Sequence, residues 1–225
     1  MLLSVDCIYA RTSANFQFAY TYTYVYKRIP NDYCSVWSYF YKIMPTGYQI
    51  DLPSETYFLT FQVVNWVDIF SRKIYRDIIL DSFVYCRTEK GLQIWGYVIM
   101  TNHVHCILRA REGNLPDIIH DFKRFTASKI IKTINQIPES RRDWMIKRFE
   151  FAAKYNSRNS QHQFWTHDNH AELIITEPFF LQKLNYIHQN PVRAGWVERP
   201  EDWLYSSMRN YLFMNALIEI DVSDY

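Results

Sequence analysis

The chain has 225 residues, a formal net charge of +2, four cysteines and an aromatic content of 18%, enough to bury a full core in one domain with room for an appendage. Cys7, Cys34, Cys86 and Cys106 show no C-x-x-C spacing and are too scattered for a disulfide framework, which fits a reducing cytoplasm. No run reaches the roughly 18 apolar residues of a membrane span, and the N-terminus lacks the basic and apolar regions of an export signal; the expectation is a soluble, cytoplasmic protein that does not enter a membrane.

Residues 1–43 read differently from the rest. They hold 8 of the 18 tyrosines, in runs such as YTYTYVY at 20–26, with neither helical period nor caps. The expectation is an N-terminal extension over 1–43 and a folded domain over 44–225, with Met44 as a candidate start and deletion of 1–43 tolerated. The alternative is an extra β-hairpin, since alternating Thr and Tyr suits a strand.

The stretch 57–64, YFLTFQVV, is rich in β-branched and aromatic residues and predicts the first strand. Over 71–89 the apolar residues Ile74, Ile78 and Phe83 recur at helical spacing and Gly91 follows, so a helix with a glycine stop is predicted. The apolar segment 94–108, IWGYVIMTNHVHCIL, predicts buried strand. Pro116 and Asp117 open a second helix over 115–134, made basic by Lys123, Arg124, Lys129 and Lys132. A third helix is expected over 139–155, then a polar loop over 156–163 and an extended stretch, FWTHDNHAELII. Thr176, Glu177 and Pro178 start a last helix, expected to stop near Asn190 because Pro191 disfavours helical geometry in the residue before it. This order predicts an α+β fold, helices packed on a small antiparallel sheet.

His103 and His105 fall on one face of their strand, with Val104 on the other. On a buried strand two neutral imidazoles need partners, and a divalent metal is one; backbone or carboxylate acceptors are the plainer alternative. In KLNYIHQNPVRAGW, Tyr186 and Asn190 stand four apart and so share a helical face, while Phe180, Leu184 and Ile187 lie on another that would pack against the sheet. If Asn190 joins the two histidines, all three ligands are neutral and the ion keeps its full charge. Such a site suits an anionic substrate, with a phosphodiester oxygen completing the coordination and Tyr186 one turn away as nucleophile.

GYVIMTNHVHCIL resembles the His-hydrophobic-His motif of single-tyrosine transposases. YIHQNPVRAGWV, followed by EDWLYSS, is similar to the tyrosine and Asn-Pro-Val signature of REP-associated tyrosine transposases and their relatives. The resemblance runs from about residue 44 to about 211 and takes in DFKRFTASK and QFWTHDNHAEL. It implies a ferredoxin-like α/β sandwich, dependence on Mg or Mn, and cleavage and rejoining of single-stranded DNA through a 5′-phosphotyrosine link. By that match His103, His105 and Asn190 are metal ligands and Tyr186 is the nucleophile; where better-known members often carry Gln, Asn190 supplies the same carbonyl oxygen. A hairpin substrate is left open, as are monomer and homodimer, since two subunits or two successive reactions would exchange two strands.

Other residues have two readings each. Lys123, Arg124, Lys129 and Arg193 are candidates for phosphate contact or an ordinary solvated face. Trp165 and Trp203 suit base stacking or the core. His188 faces away from Tyr186 and reads as structural or DNA-facing. His162, His167 and His170 lack cysteine partners and read as a solvated loop rather than a zinc site. Tyr155 is the alternative nucleophile. Two other functions compete: a DNA-binding protein that no longer cuts, and a metallohydrolase with Asp168 or Glu172 as its acidic group.

Overall fold

The structure, a computed structural model, describes residues 49–154 and 161–222. The expectations for 1–43 and for Tyr155 lie outside these residues. In chain order the elements are β1 (Tyr57–Gln62), α1 (Lys73–Lys90), β2 (Leu92–Ile99), β3 (His103–Ala110), α2 (Leu115–Gln136), α3 (Arg142–Lys154), β4 (Glu172–Leu173), α4 (Glu177–Arg193) and α5 (Met208–Tyr211). The strands form one sheet in the order β2-β3-β1-β4, antiparallel at every pairing. This is the α+β, ferredoxin-like sandwich the sequence predicts.

The apolar run at 94–108 is two strands of a hairpin. Ile99 pairs with Val104, and the Met100 N–H closes the turn onto the His103 carbonyl at 2.9 Å. Thr101 and Asn102 supply the polar turn. At the end of α1, Gly91 adopts the left-handed conformation (φ 67°) that releases the chain into β2.

Alternation along β1 sorts the sheet into two faces. Tyr57, Leu59 and Phe61, with Val104, Cys106 and Leu108 of β3, are buried in one core under α1 and α2, where the Phe83 and Phe122 rings stack at 4.8 Å. The opposite face presents Phe58, Val98 and Ile107 to Phe180, Leu184 and Ile187 of α4 in a second, smaller core. Each of those three α4 side chains stabilises the packing by about 1.5–3 kcal/mol. Helix and sheet approach closely at Gly96, beside a bulge in β2; a Cβ there would meet Leu184 Cδ1 at 2.8 Å.

α4 does not stop at Asn190. It continues to Arg193 with Pro191 inside it. The proline falls in the last turn, where its missing N–H leaves little helix to disrupt, and the end is closed by Ala194 N–H to Asn190 O at 3.0 Å and Trp196 N–H to Pro191 O at 2.9 Å. Asn190 therefore keeps helical register with Tyr186. Beyond α4 the chain returns along the outer edge of β2, where Tyr205 O accepts from Ile99 N–H and Ser207 N–H donates to Tyr97 O, each at 2.9 Å, covering what would be an open strand edge.

Candidate functional site

The second face of the sheet carries both imidazoles. Cross-strand pairing sets Thr60 opposite His105 and Gln62 opposite His103, so a polar row replaces the apolar pairing of Phe58 with Ile107 further along the same strands. The two imidazole rings stand 4.6 Å apart between centroids. Thr60 Oγ1 lies 2.8 Å from His105 Nδ1, and Asn102 Oδ1 lies 2.6 Å from His103 Nδ1. An amide oxygen only accepts, so His103 Nδ1 carries the proton; the Thr60 hydroxyl accepts equally well from His105. His103 Nε2 then keeps its lone pair, and His105 Nε2 does so in the tautomer whose Nδ1 donates to Thr60.

Burial pushes His103 down to about 4. His105 is driven well below the usual histidine range, first by burial and then by the positive charges of its neighbours, His103, Lys183, Arg193 and His170. At neutral pH both rings are uncharged, as ligation requires. Lys183 and Arg193 place positive charge beside His105, Lys183 within an ion pair to Glu172, and the guanidinium of Arg193 suits an anion on this face.

α4 delivers the remaining groups from a single stripe, Phe179, Lys183, Tyr186, Asn190 and Arg193. The Tyr186 ring meets His105 edge-on at 5.2 Å and Phe58 at 5.8 Å, and it remains 37% exposed, open to a substrate. The Arg193 guanidinium lies 4.3 Å from the Tyr186 ring centroid and donates to the Tyr186 carbonyl at 3.1 Å. Lys183 Nζ sits 4.5 Å over the Phe58 ring and pairs with Glu172 at 2.6 Å. Asn190 is half-buried one turn beyond Tyr186; among the described residues no hydrogen bond joins its amide to either imidazole.

The predicted basic residues divide. Arg193 stands in the site. Lys123, Arg124 and Lys129 ride on α2, on the other side of the sheet. Lys123 donates to Thr166 O at 2.7 Å and Asn169 Oδ1 at 2.6 Å, tying down the segment beside β1, while Arg124 pairs with Asp121 at 3.2 Å and Lys129 is exposed. His188 is buried, its Nε2 2.9 Å from Ser207 Oγ. Trp165 belongs to the core, donating to Thr126 Oγ1 at 3.0 Å, and Trp203 is half-buried with its indole N–H on Ile99 O at 3.1 Å. His162, His167 and His170 form no metal cluster; among the described residues no three His, Cys, Asp or Glu side chains are grouped to hold an ion. Thr60 and Lys183 were not anticipated. Thr60 had a legible signal, a hydroxyl in an apolar strand at the same parity as Phe58.

A family model described as "Transposase IS200 like" matches residues 56–174, more than half of the chain. The chain belongs to the IS200-like transposases. The match takes in β1, the imidazole pair and α2, and ends before α4. Two relatives of this IS200-like chain are REP-associated tyrosine transposases. That of Escherichia coli K12 is 24% identical over 127 residues, covering 56% of this chain and 60% of the relative. That of Haemophilus influenzae, provisionally so named, is 28% identical over 109 residues, covering 48% and 54%. The chain thus spans a little over half the length of these relatives. Among solved structures it is similar to a REP-associated tyrosine transposase bound to a REP hairpin, with TM-score 0.46, 19% identity, and 76% of this chain and 89% of the other covered. No helix among the described residues is long and apolar enough to cross a membrane.

Proposed function

We propose that this IS200-like chain cleaves and rejoins single-stranded DNA through a covalent bond to Tyr186. The observation that carries the reading is the contact of the exposed Tyr186 ring with His105, beneath the Arg193 guanidinium. A nucleophile, a pair of neutral imidazoles and a cation meet on one face, as phosphoryl transfer to a side chain requires.

Tyr186 Oη bonds to phosphorus and the bond from phosphorus to the 3′ oxygen breaks, leaving a 5′-phosphotyrosine and a free 3′ hydroxyl. The phenol releases one proton and the departing oxygen takes one up. Because the phosphotyrosine keeps the energy of the broken phosphodiester, rejoining needs no external source. Arg193 neutralises a phosphate oxygen and, through its place over the ring and on the Tyr186 carbonyl, orients the phenol. Asn102 holds His103 in the tautomer that leaves Nε2 free, and Thr60 fixes the orientation of the His105 ring.

The donor chemistry fits a divalent ion: His103 and His105 through Nε2, with the Asn190 carbonyl as third protein ligand, would hold Mg or Mn. Such an ion, when bound, would polarise the phosphodiester and stabilise charge developing at phosphorus. A water-activating hydrolase is disfavoured, because its acidic candidates already have partners: Glu172 is paired with Lys183 at 2.6 Å, and Asp168 accepts from the His170 backbone N–H at 2.8 Å.

The test is incubation with Mg of single-stranded oligonucleotides spanning the DNA beside the gene, hairpin-forming sequences included, followed by a denaturing gel. The expected result is a covalent protein–DNA band that Tyr186→Phe abolishes with DNA binding retained. No band from the unaltered chain, or a band that survives Tyr186→Phe, would overturn the reading.

A further inference from the structure

Immediately after β1 the chain makes a turn that buries Val64 and Val67 in the core and leaves the two residues between them outside it. Asn65 and Trp66 adopt successive left-handed conformations, φ 53° and 56°, a backbone that is unfavourable for a residue as bulky as Trp. The ring displayed in this way is 69% exposed. The turn is held by Asn65 Nδ2 donating to the Arg148 carbonyl of α3 at 3.2 Å.

The solvent face of α3 continues the pattern. Trp144, Lys147, Arg148, Phe151 and Lys154 are exposed at spacings of three and four, so aromatic and cationic groups alternate along one stripe. Arg148 stacks over Trp144 at 5.7 Å. Acidic groups on this helix are Asp143, in its first turn, and Glu150, which faces His162 at 3.9 Å. The turn lies at the rim where the imidazole strand begins: Gln62 pairs with His103, and the Val63 N–H donates to Asn102 O at 3.0 Å, the residue whose side chain bonds His103.

We infer that Trp66, Trp144 and Arg148 form a stacking platform for unpaired bases of the DNA strand that passes through the Tyr186 site. This rests on the proposed cleavage of single-stranded DNA. Exposed aromatic faces accept any base, and the cations beside them supply the positive charge that tracks the backbone of a single strand. Backbone strain spent on holding an indole in solvent is accounted for when a ligand covers it.

Affinity for an oligo-dT strand is measured with the full chain in the Tyr186→Phe background, so that no covalent product contributes. Trp66→Gly and Trp144→Ala should each weaken binding about 5- to 100-fold with the salt dependence unchanged. Because glycine is at ease at φ 56°, Trp66→Gly should not lower the melting temperature, which separates lost stacking from lost folding. A strand with abasic sites should bind the unaltered platform as weakly as the normal strand binds the variants. Affinities within twofold of the parent, or variants that change the mass in solution instead of DNA binding, would overturn the platform. If the chain with Tyr186 intact forms its covalent adduct while the platform variants bind normally, only this inference fails. If it neither binds nor cuts single-stranded DNA, the proposed function fails and takes the platform with it.

Discussion

The Tyr186 ring stands edge-on to the His105 ring at 5.2 Å, although one is carried by α4 and the other by β3. The contact exists because Phe180, Leu184 and Ile187 press α4 onto the sheet, which turns the adjoining helical stripe towards the imidazoles.

Thr60→Val should lower DNA cleavage about 10- to 100-fold. The change removes the hydroxyl 2.8 Å from His105 Nδ1 while keeping the β-branched shape, so the imidazole loses the partner that orients it. Leaving that buried nitrogen unpaired costs about 1–3 kcal/mol. Single-turnover cleavage alongside urea denaturation checks this; full activity would show that His105 is oriented by other groups.

Gly96→Ala should destabilise the chain by about 1 kcal/mol and reduce cleavage, because the new Cβ meets Leu184 Cδ1 at 2.8 Å and forces that buried side chain to repack between α4 and the sheet. Leu184→Ala opens the space the methyl needs. The double variant should therefore be less destabilised than the sum of the two single changes, as a double-mutant cycle by denaturant unfolding would read. Simple additivity would mean that the Leu184 side chain does not meet the new methyl.

Arg193 has two separable roles. Arg193→Ala should reduce the slope of log affinity against log salt for single-stranded DNA by about 0.7, one phosphate contact. Arg193→Lys should keep the slope but lose the planar stack on Tyr186, so cleavage falls while binding persists. Equal cleavage by Arg193→Lys and the parent would remove any positioning role.

Burial pushes Lys123 down to about 8, against an ordinary value of about 10.5 in the unfolded chain. Between those pH values the unfolded state holds more protons, so stability rises with pH, by up to about 3 kcal/mol; that increment is complete above 10.5 and gone below 8. Lys123→Met abolishes it. The difference in unfolding free energy between parent and variant should widen in the parent's favour as pH is raised from 8 to 10.5, and a flat difference would mean that Lys123 is solvated.

Much of this protein was written in local pattern. The strand parity of YFLTFQ and the His-x-His and Tyr186, Asn190 spacings follow periods of two and 3.6 residues, the glycine after α1 marks a helix stop, and together they mark the main strands and helices, the α4 face that packs on the sheet, and the residues proposed for the site. Two local rules misled for local reasons. Pro191 read as a stop, yet in the last turn a proline removes too few hydrogen bonds to end a helix, and the apolar run at 94–108 concealed the turn at Thr101 and Asn102.

What only the tertiary structure decided is which charges share a face. Lys123 and Arg193 are both basic residues on amphipathic helices, indistinguishable by spacing, but α2 covers one side of the sheet and α4 the other. Lys123 is consequently spent on Thr166 and Asn169, while Arg193 lies over Tyr186. The same holds for Thr60 and Trp66. Cross-strand register put the Thr60 hydroxyl on His105, and a left-handed turn braced by Arg148 put the Trp66 indole in solvent. Register and layer assignment arise from contacts between segments far apart in the chain, so no local period encodes them.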